Sequence, residues 1–310
     1  MDNVKLGLIG VGKWGTNYVK AIKGIKNVDL NYVTSNNDIT ENLLNKDCTI
    51  ENDWRKIISS NNVDGIIVAS PPNTHYEILK ECIDLRIPVL IEKPFVLKVE
   101  DAQKIINFAK RKYSLVYVDY IHLHHPAFLK LEQEIKQKND FIDIKSISGN
   151  NGPFRPDVRA LWDWAPHDIA MCLKIMEEMP KVNKVCYLEK NFDYSIPGEL
   201  INIELLFPSR IKANLTIGNL LKRKKKEFSV NYEEYSLIYD SNSKYSLKKS
   251  FINEKDIYLY AGFEKPLTNL VQKFVNAIVL EKIDFKDLDL SLKVTKLIQE
   301  IEMNLKLDSI

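Results

Sequence analysis

Lys5-Leu6-Gly7-Leu8-Ile9-Gly10-Val11-Gly12-Lys13-Trp14-Gly15 is the stretch that decides the fold. Its first five residues are mostly apolar and bounded by Gly10, and an amphipathic run over 14–25 follows, so it reads as strand, tight turn and helix. Gly10, Gly12 and Gly15 stand at Gly-x-Gly-x-x-Gly spacing. Between a strand and a helix, that spacing has a mechanism. The first glycine permits the turn, the second lets backbone approach a pyrophosphate, the third lets the helix pack close on the strand, and helix amides face the phosphates. An ordinary glycine turn can share the spacing, so the residues beyond it carry the choice.

Those residues alternate between two periods. A strand over 29–34, a helix near 40–45, a helix capped by Asn52 or Asp53 and running through Ile58, and a buried strand over 65–69 lead to a helix over 75–85. A strand over 89–91, a helix over 99–112 and a strand over 115–118 complete the pattern. Such alternation specifies a parallel sheet with right-handed crossovers. From about Tyr120 the rhythm changes: a helix over 126–138, a strand over 141–148, a loop rich in Gly, Asn and Pro, and a helix over 167–176 come first. Strands over 184–189, 200–207, 211–217, 228–232 and 235–239 follow, closed by helices over 267–280 and 290–305. Short connections there favour antiparallel pairing. The expected fold class is α/β: an N-terminal Rossmann domain with a parallel sheet over 1–120, then an α+β domain over 121–310 with a mostly antiparallel open sheet.

The 310 residues carry 44 Lys and Arg against 42 Asp and Glu, a net charge of +2, too even to call for a nucleic-acid partner. Lys222-Arg223-Lys224-Lys225-Lys226 is a basic run that reads as a solvated loop between two strands, with a polyanion or substrate phosphate as the alternative. Cys48, Cys82, Cys172 and Cys186 are scattered without a Cys-x-x-Cys pair, as expected of reduced thiols in a cytoplasmic protein. No apolar run approaches the roughly 20 residues of a membrane span, so no membrane association is expected.

A nicotinamide dinucleotide, NAD(P), suits the glycine turn, with Gly10, Gly12, Lys13, Trp14 and Gly15 against its pyrophosphate. An acid about 20 residues beyond the glycines usually holds the adenine ribose hydroxyls. Here that place holds Val33-Thr34-Ser35-Asn36, and the side chains of Ser35 and Asn36 can donate to a 2′-phosphate, which favours NADP(H). Asp38, two or more positions late, keeps NAD(H) open. Two further stretches stand at carboxyl ends of predicted strands, the ligand edge of a parallel sheet. Ala69-Ser70-Pro71-Pro72-Asn73-Thr74-His75 brings Ser70, Pro71, Asn73 and His75 to the cofactor, and Glu92-Lys93-Pro94 brings Glu92 and Lys93.

With those stretches the sequence resembles the glucose-fructose oxidoreductase / inositol dehydrogenase / rhizopine-catabolism (Gfo/Idh/MocA) oxidoreductase family, whose pattern has Thr- or Ser-Pro-x-x-x-His and then Glu-Lys-Pro. Asp163-Trp164-Ala165-Pro166-His167 reproduces the family's Asp-x-x-x-His spacing, and Lys265-Pro266-Leu267 is similar to its entry to the penultimate helix. The resemblance implies a catalytic set of Lys93, Asp163 and His167. The chemistry suits it. A histidine with a pKa of about 6.5 can take or return a hydroxyl proton near neutral pH, and a lysine can donate to the reacting oxygen. His167 ranks ahead of Lys93 as the proton carrier, and Asp163 orients the imidazole or binds a substrate hydroxyl.

What the resemblance implies overall is a sugar, cyclitol or nucleotide-sugar dehydrogenase or ketoreductase, with a tilt toward surface polysaccharide synthesis and a homodimer or homotetramer built on the second domain's sheet. A redox-neutral hydrolase or epimerase-type member that retains its cofactor, and a nucleotide-sensing regulator without turnover, are the alternatives. The chain departs from the family at Leu123 and its flanking histidines, where an arginine is common, and in the bulk of Leu161-Trp162-Asp163-Trp164. Trp162, Trp164 and Phe154 are candidate walls for a sugar face. His122, His124 and His125 lie on what reads as an extended segment, whose side chains alternate in direction, and no metal is expected there.

Overall fold

Runs of Val, Ile and Leu too short for helices become strands buried on both faces, and this builds the first part of the molecule. The computed structural model describes residues 3–35, 43–138, 140–191, 197–262 and 265–307. The chain forms two compact units, one of residues 1–121 with 265–292 and the other of 122–264 with 293–310.

In the first unit β1 (Val4–Ile9), β2 (Val28–Thr34), β3 (Thr49–Glu51), β4 (Gly65–Val68), β5 (Val89–Ile91) and β6 (Val116–Val118) make one all-parallel sheet in the order β3-β2-β1-β4-β5-β6. Every residue of β4, β5 and β6 is buried. The helices α1 (Lys13–Lys23), α2 (Trp54–Ser59), α3 (His75–Asp84) and α4 (Val99–Lys112) alternate with the strands. Asp53 caps α2, its carboxylate accepting from the Arg55 N–H at 2.9 Å. Of the helix read near 40–45, residues 40–42 lie outside the described residues.

Far along the chain, α7 (Pro266–Val279) buries Leu270, Val271 and Phe274 in a core shared with Tyr18, Val19 and Ile22 of α1. Residues 265–292 therefore pack with the parallel sheet, although sequence order alone groups them with the second domain. A helix with one strongly apolar face goes where a sheet face needs cover, and chain order carries no record of that.

The second unit contains α5 (Pro126–Gln137), β7 (Asp143–Asn151), α6 (Ala160–Met176), β8 (Lys181–Asn191), β9 (Gly198–Leu206), β10 (Lys212–Gly218), β11 (Leu220–Asn231), β12 (Tyr235–Asp240), β13 (Leu247–Phe251) and β14 (Ile257–Tyr260). Its sheet runs β14-β13-β12-β11-β7-β10-β9-β8, antiparallel except for the β7–β10 pair. Burial alternates along β9, β10 and β12, as it must when helices cover one face only. The closing helix α8 (Lys286–Leu307) contributes to both units.

Three expectations are corrected. The helix expected from His167 begins at Ala160, so Asp163 and His167 share it; Pro166 inside it removes a backbone hydrogen bond and masks the helical reading. The basic run is part of β11 and not a loop. The segment before Pro126 is not extended: 121–124 close into a single tight helical turn. Among the described residues no helix is long and apolar enough to cross a membrane.

Candidate active site

The strand order of the first sheet reverses at β1 and β4, and the loops leaving these strands meet there. Gly10 takes φ of +93°, and a Cβ on it would stand 2.8 Å from Ser70 N, so the loop after β1 closes directly on the loop after β4. A Cβ on Gly15 would lie 2.1 Å from the Gly10 carbonyl oxygen. Gly12 differs: its φ of −89° and ψ of −155° are open to any residue, and a Cβ there would meet nothing within 4 Å. The first turn of α1 has no side-chain cap and no acidic residue. Uncapped N–H groups facing open space suit an anion, so the residues present fit a dinucleotide pyrophosphate. Lys13 and Trp14, the latter 45% exposed, flank that space.

At the end of β2 the Thr34 hydroxyl accepts the Gly10 N–H at 2.9 Å, and its carbonyl accepts the Val11 N–H at 2.9 Å. Thr34 thus braces the glycine turn and leaves Ser35 as the next hydroxyl. Asn36 lies outside the described residues.

Beyond β4, Ser70 Oγ pairs with Thr74 Oγ1 at 2.7 Å, and 72–74 form a tight helical turn after Pro71 that includes Asn73. His75, expected at the cofactor, is instead fully buried. Its Nδ1 meets the Pro94 and Phe95 carbonyls at 2.9 and 3.2 Å, and its Nε2 meets the Ser70 carbonyl at 3.0 Å. The imidazole ties the loop after β4 to the loop after β5 that carries Glu92 and Lys93.

Glu92 and Asp119 each follow the last residue of neighbouring parallel strands, β5 and β6, whose ends are in register at Ile91 and Val118. Both are buried, 8% and 3% exposed, and the Tyr18 hydroxyl of α1 donates to Asp119 Oδ2 at 2.5 Å. Burial pushes the Glu92 carboxyl well above the usual range, and neighbouring Asp119 adds to the push. Burial likewise raises Asp119 to about 6, against the lowering effect of the Tyr18 hydrogen bond and the Lys93 charge. Two buried carboxyls this close do not both ionise; the pair retains a proton beside Lys93. Sequence reading missed Asp119 and Tyr18, although an acid at the carboxyl end of the last parallel strand was a visible signal.

Asp119 keeps its proton in the folded chain over a range in which the unfolded chain has lost it, so stability falls as pH rises from about 4 to about 6. Asp119→Asn, which keeps an acceptor for Tyr18, is expected to flatten that slope; urea midpoints at pH 4.5 and pH 8 measure it.

In the second unit Asp163 and His167 stand one turn apart on α6, both half-buried. Arg155 reaches Asp163 at 3.3 Å and Asp157 at 2.6 Å. Trp162 is buried and belongs to the core, whereas Trp164 and Phe154 retain exposure. His125 caps α5, accepting the Ala127 N–H at 3.1 Å, and His122 packs against His167.

Asp168, next to His167, is the anchor of the helix. It accepts from Ser146, from Ser148 at 2.8 Å and from Lys226 at 2.8 Å. Lys226 also donates to Ser148 Oγ at 2.8 Å, and its side chain is 8% exposed. The two-residue period of β11 from Lys226 onward puts Lys226 on the inward face with Phe228 and Val230; ahead of it, where the pairing with β7 shifts register between Leu220 and Lys225, 222–225 are exposed. Asp168→Asn would leave the Lys226 charge buried without its counter-ion. The expected loss is about 3–5 kcal/mol of stability, read by urea unfolding.

Lys93 thus belongs to the first unit, and Asp163 and His167 to the second. Residues 4–120 match a family model described as "Oxidoreductase family, NAD-binding Rossmann fold". Over 121 residues the chain is 26% identical to the UDP-N-acetylglucosamine 3-dehydrogenase of Acidithiobacillus ferrooxidans, covering 38% of this chain and 37% of that relative. The chain thus spans well under half the length of that curated relative. A solved structure from Magnetospirillum magnetotacticum MS-1, named only as an oxidoreductase, superposes with a TM-score of 0.88 at 29% identity, over 96% of this chain and 99% of that one. KijD10, a 3-ketoreductase from Actinomadura kijaniata solved with TDP-benzene and NADP, shares the fold at a TM-score of 0.86 and 15% identity, with 98% of each chain covered. Over residues 4–120 the chain thus matches the Gfo/Idh/MocA family of oxidoreductases with an NAD-binding Rossmann fold.

Proposed function

We propose that the chain is an NAD(P)-dependent dehydrogenase or ketoreductase acting on a secondary alcohol or ketone of a sugar, cyclitol or nucleotide-linked sugar. The observation that carries this reading is the sheet edge of the first unit, where an uncapped helix start, the open space at Gly12 and Lys93 beside a proton-sharing carboxyl pair occur together. When bound, the nicotinamide supplies the acceptor or donor of a hydride. Gly10, Gly12, Lys13 and Gly15 hold the pyrophosphate, and Ser35 favours a 2′-phosphate, hence NADP(H).

Lys93 donates to the reacting oxygen and stabilises negative charge developing on it. His167 takes the hydroxyl proton as the carbon loses its hydride, and returns it in the reverse direction. Asp163 orients that imidazole or a substrate hydroxyl. The sugar class is supported by the named activity of the Acidithiobacillus relative, and a role in surface polysaccharide assembly by the Lys265-Pro266-Leu267 likeness. Titration of the purified protein with NADPH and with NADH, followed by nicotinamide fluorescence, tests the reading. Saturable binding with NADPH tighter is the expected result. Binding of neither would remove the basis of the proposal.

A further inference from the structure

Burial alternates along β9 from its second residue, so Glu199 shares the covered face of the sheet with Ile201, Ile203 and Leu205. The helix α6 packs across β7, β9 and β10, with Arg159 at its N-terminal end. Beside that end lies a cavity of about 340 Å³ whose lining includes Arg155, Asp157, Arg159, Pro197, Glu199 and Asn219. It belongs wholly to the second unit, and Asp163 and His167 are not part of its lining.

Glu199 and Asn219 form the buried wall, 2% and 4% exposed. They are locked together: the Glu199 N–H donates to Asn219 Oδ1 at 2.7 Å, and the Asn219 N–H donates to the Glu199 carbonyl at 3.0 Å. With Oδ1 occupied, the Asn219 side chain offers its NH2 end as a donor. Glu199 Oε1 accepts from Arg159 at 2.6 Å, whereas Oε2 is enclosed and has no hydrogen-bond partner among the described residues. An enclosed carboxylate oxygen without a donor is costly, and the cavity that Glu199 lines gives a donor room to enter.

The walls select the chemistry of that donor. Each guanidinium at the cavity is already bracketed by two carboxylates, Arg155 by Asp157 and Asp163, Arg159 by Glu199 and Glu302. A phosphate would meet no uncompensated positive charge there. An ammonium would satisfy Glu199 and leave the Asn219 NH2 without an acceptor. A hydroxyl answers both groups, because it donates and accepts. Beside the polar pair, Phe154 packs so close on Gly198 that a Cβ there would stand 3.0 Å from its Cε1, and its ring supplies an apolar surface for the C–H face of a sugar. We propose that this cavity is a binding site for a sugar ring, one hydroxyl of which donates to Glu199 and accepts from Asn219. The site does not rest on the redox reading, because neither a dinucleotide nor the catalytic set enters it.

Amide-shift NMR of the full-length protein tests this, with the methyl glycosides of glucose, galactose, mannose and N-acetylglucosamine as probes and with inorganic phosphate and methylammonium as controls. At least one glycoside is expected to give saturable shifts at the amides of Gly198, Glu199 and Asn219, and neither control should. Asn219→Asp keeps the acceptor for the Glu199 N–H and deletes the NH2 donor. Glu199→Gln keeps an oxygen for Arg159 and deletes the acceptor facing the ligand. Each should weaken the glycoside about tenfold or more in a chain that still melts cooperatively. If one variant does not fold, the other and the wild-type map still decide. The proposal is overturned if no glycoside moves these amides, which would leave Oε2 to a water alone, or if shifts appear only around Asp163 and His167. Equal shifts from phosphate or methylammonium, or unchanged affinity in a folded variant, would overturn it as well.

Discussion

Gly12→Val is expected to keep the fold and lose the dinucleotide. A Cβ at Gly12 meets no atom within 4 Å, and the backbone there is extended, a conformation valine adopts without strain. The chain alone should therefore melt within a degree or two of wild type. The space the valine fills is where backbone must approach a pyrophosphate, so NAD(P)H affinity should fall by at least about 100-fold, roughly 3 kcal/mol. Gly15 provides the contrast. A Cβ there would stand 2.1 Å from a backbone carbonyl oxygen, so Gly15→Ala should lose stability before any ligand is added. Melting curves with fluorescence titrations separate the two cases. Unchanged affinity in Gly12→Val would place the nucleotide elsewhere or remove it from the account.

Lys93→Met carries the other large effect. Methionine keeps most of the stem and deletes the charge, so the reacting oxygen loses its donor and turnover should fall on the order of 10^3-fold. Binding of NAD(P)H should change much less, because the pyrophosphate contacts are retained. A second consequence is internal to the protein. The Lys93 charge lowers both Glu92 and Asp119, so its removal should raise the apparent pKa of the carboxyl pair further, and acid titration followed by the protonated-carboxyl infrared band would register that rise. A drop in kcat with no change at the pair would separate Lys93 from the cluster.

The first unit was legible because its signals are local. Short apolar runs, the glycine turn and the Asp53 cap each act over a few residues, and each took its expected form. What the sequence hid was decided by partners distant along the chain. Lys226 reads as one of five basic residues until its strand register turns it inward to Asp168. His75 stands in a ligand-edge motif, yet carbonyls from two loops enclose its ring. Asp119 gains its meaning from Glu92 on the next strand and Tyr18 on α1, a separation of 101 residues for the Tyr18 bond. His122 needed the tight turn to reach His167. The glycine turn between β1 and α1 has its expected form, while the helix shared by Asp163 and His167, masked by Pro166, and the surroundings of those side chains required three dimensions.

Absorbance at 340 nm follows hydride transfer to the nicotinamide. Purified protein would be mixed with NAD+ or NADP+ and a panel of nucleotide-linked hexoses, free hexoses and cyclitols. A substrate-dependent rise is expected with at least one secondary alcohol of that panel, larger with NADP+ and lost in Lys93→Met. A rise undiminished in Lys93→Met, or none from any member of the panel with a dinucleotide demonstrably bound, would contradict it.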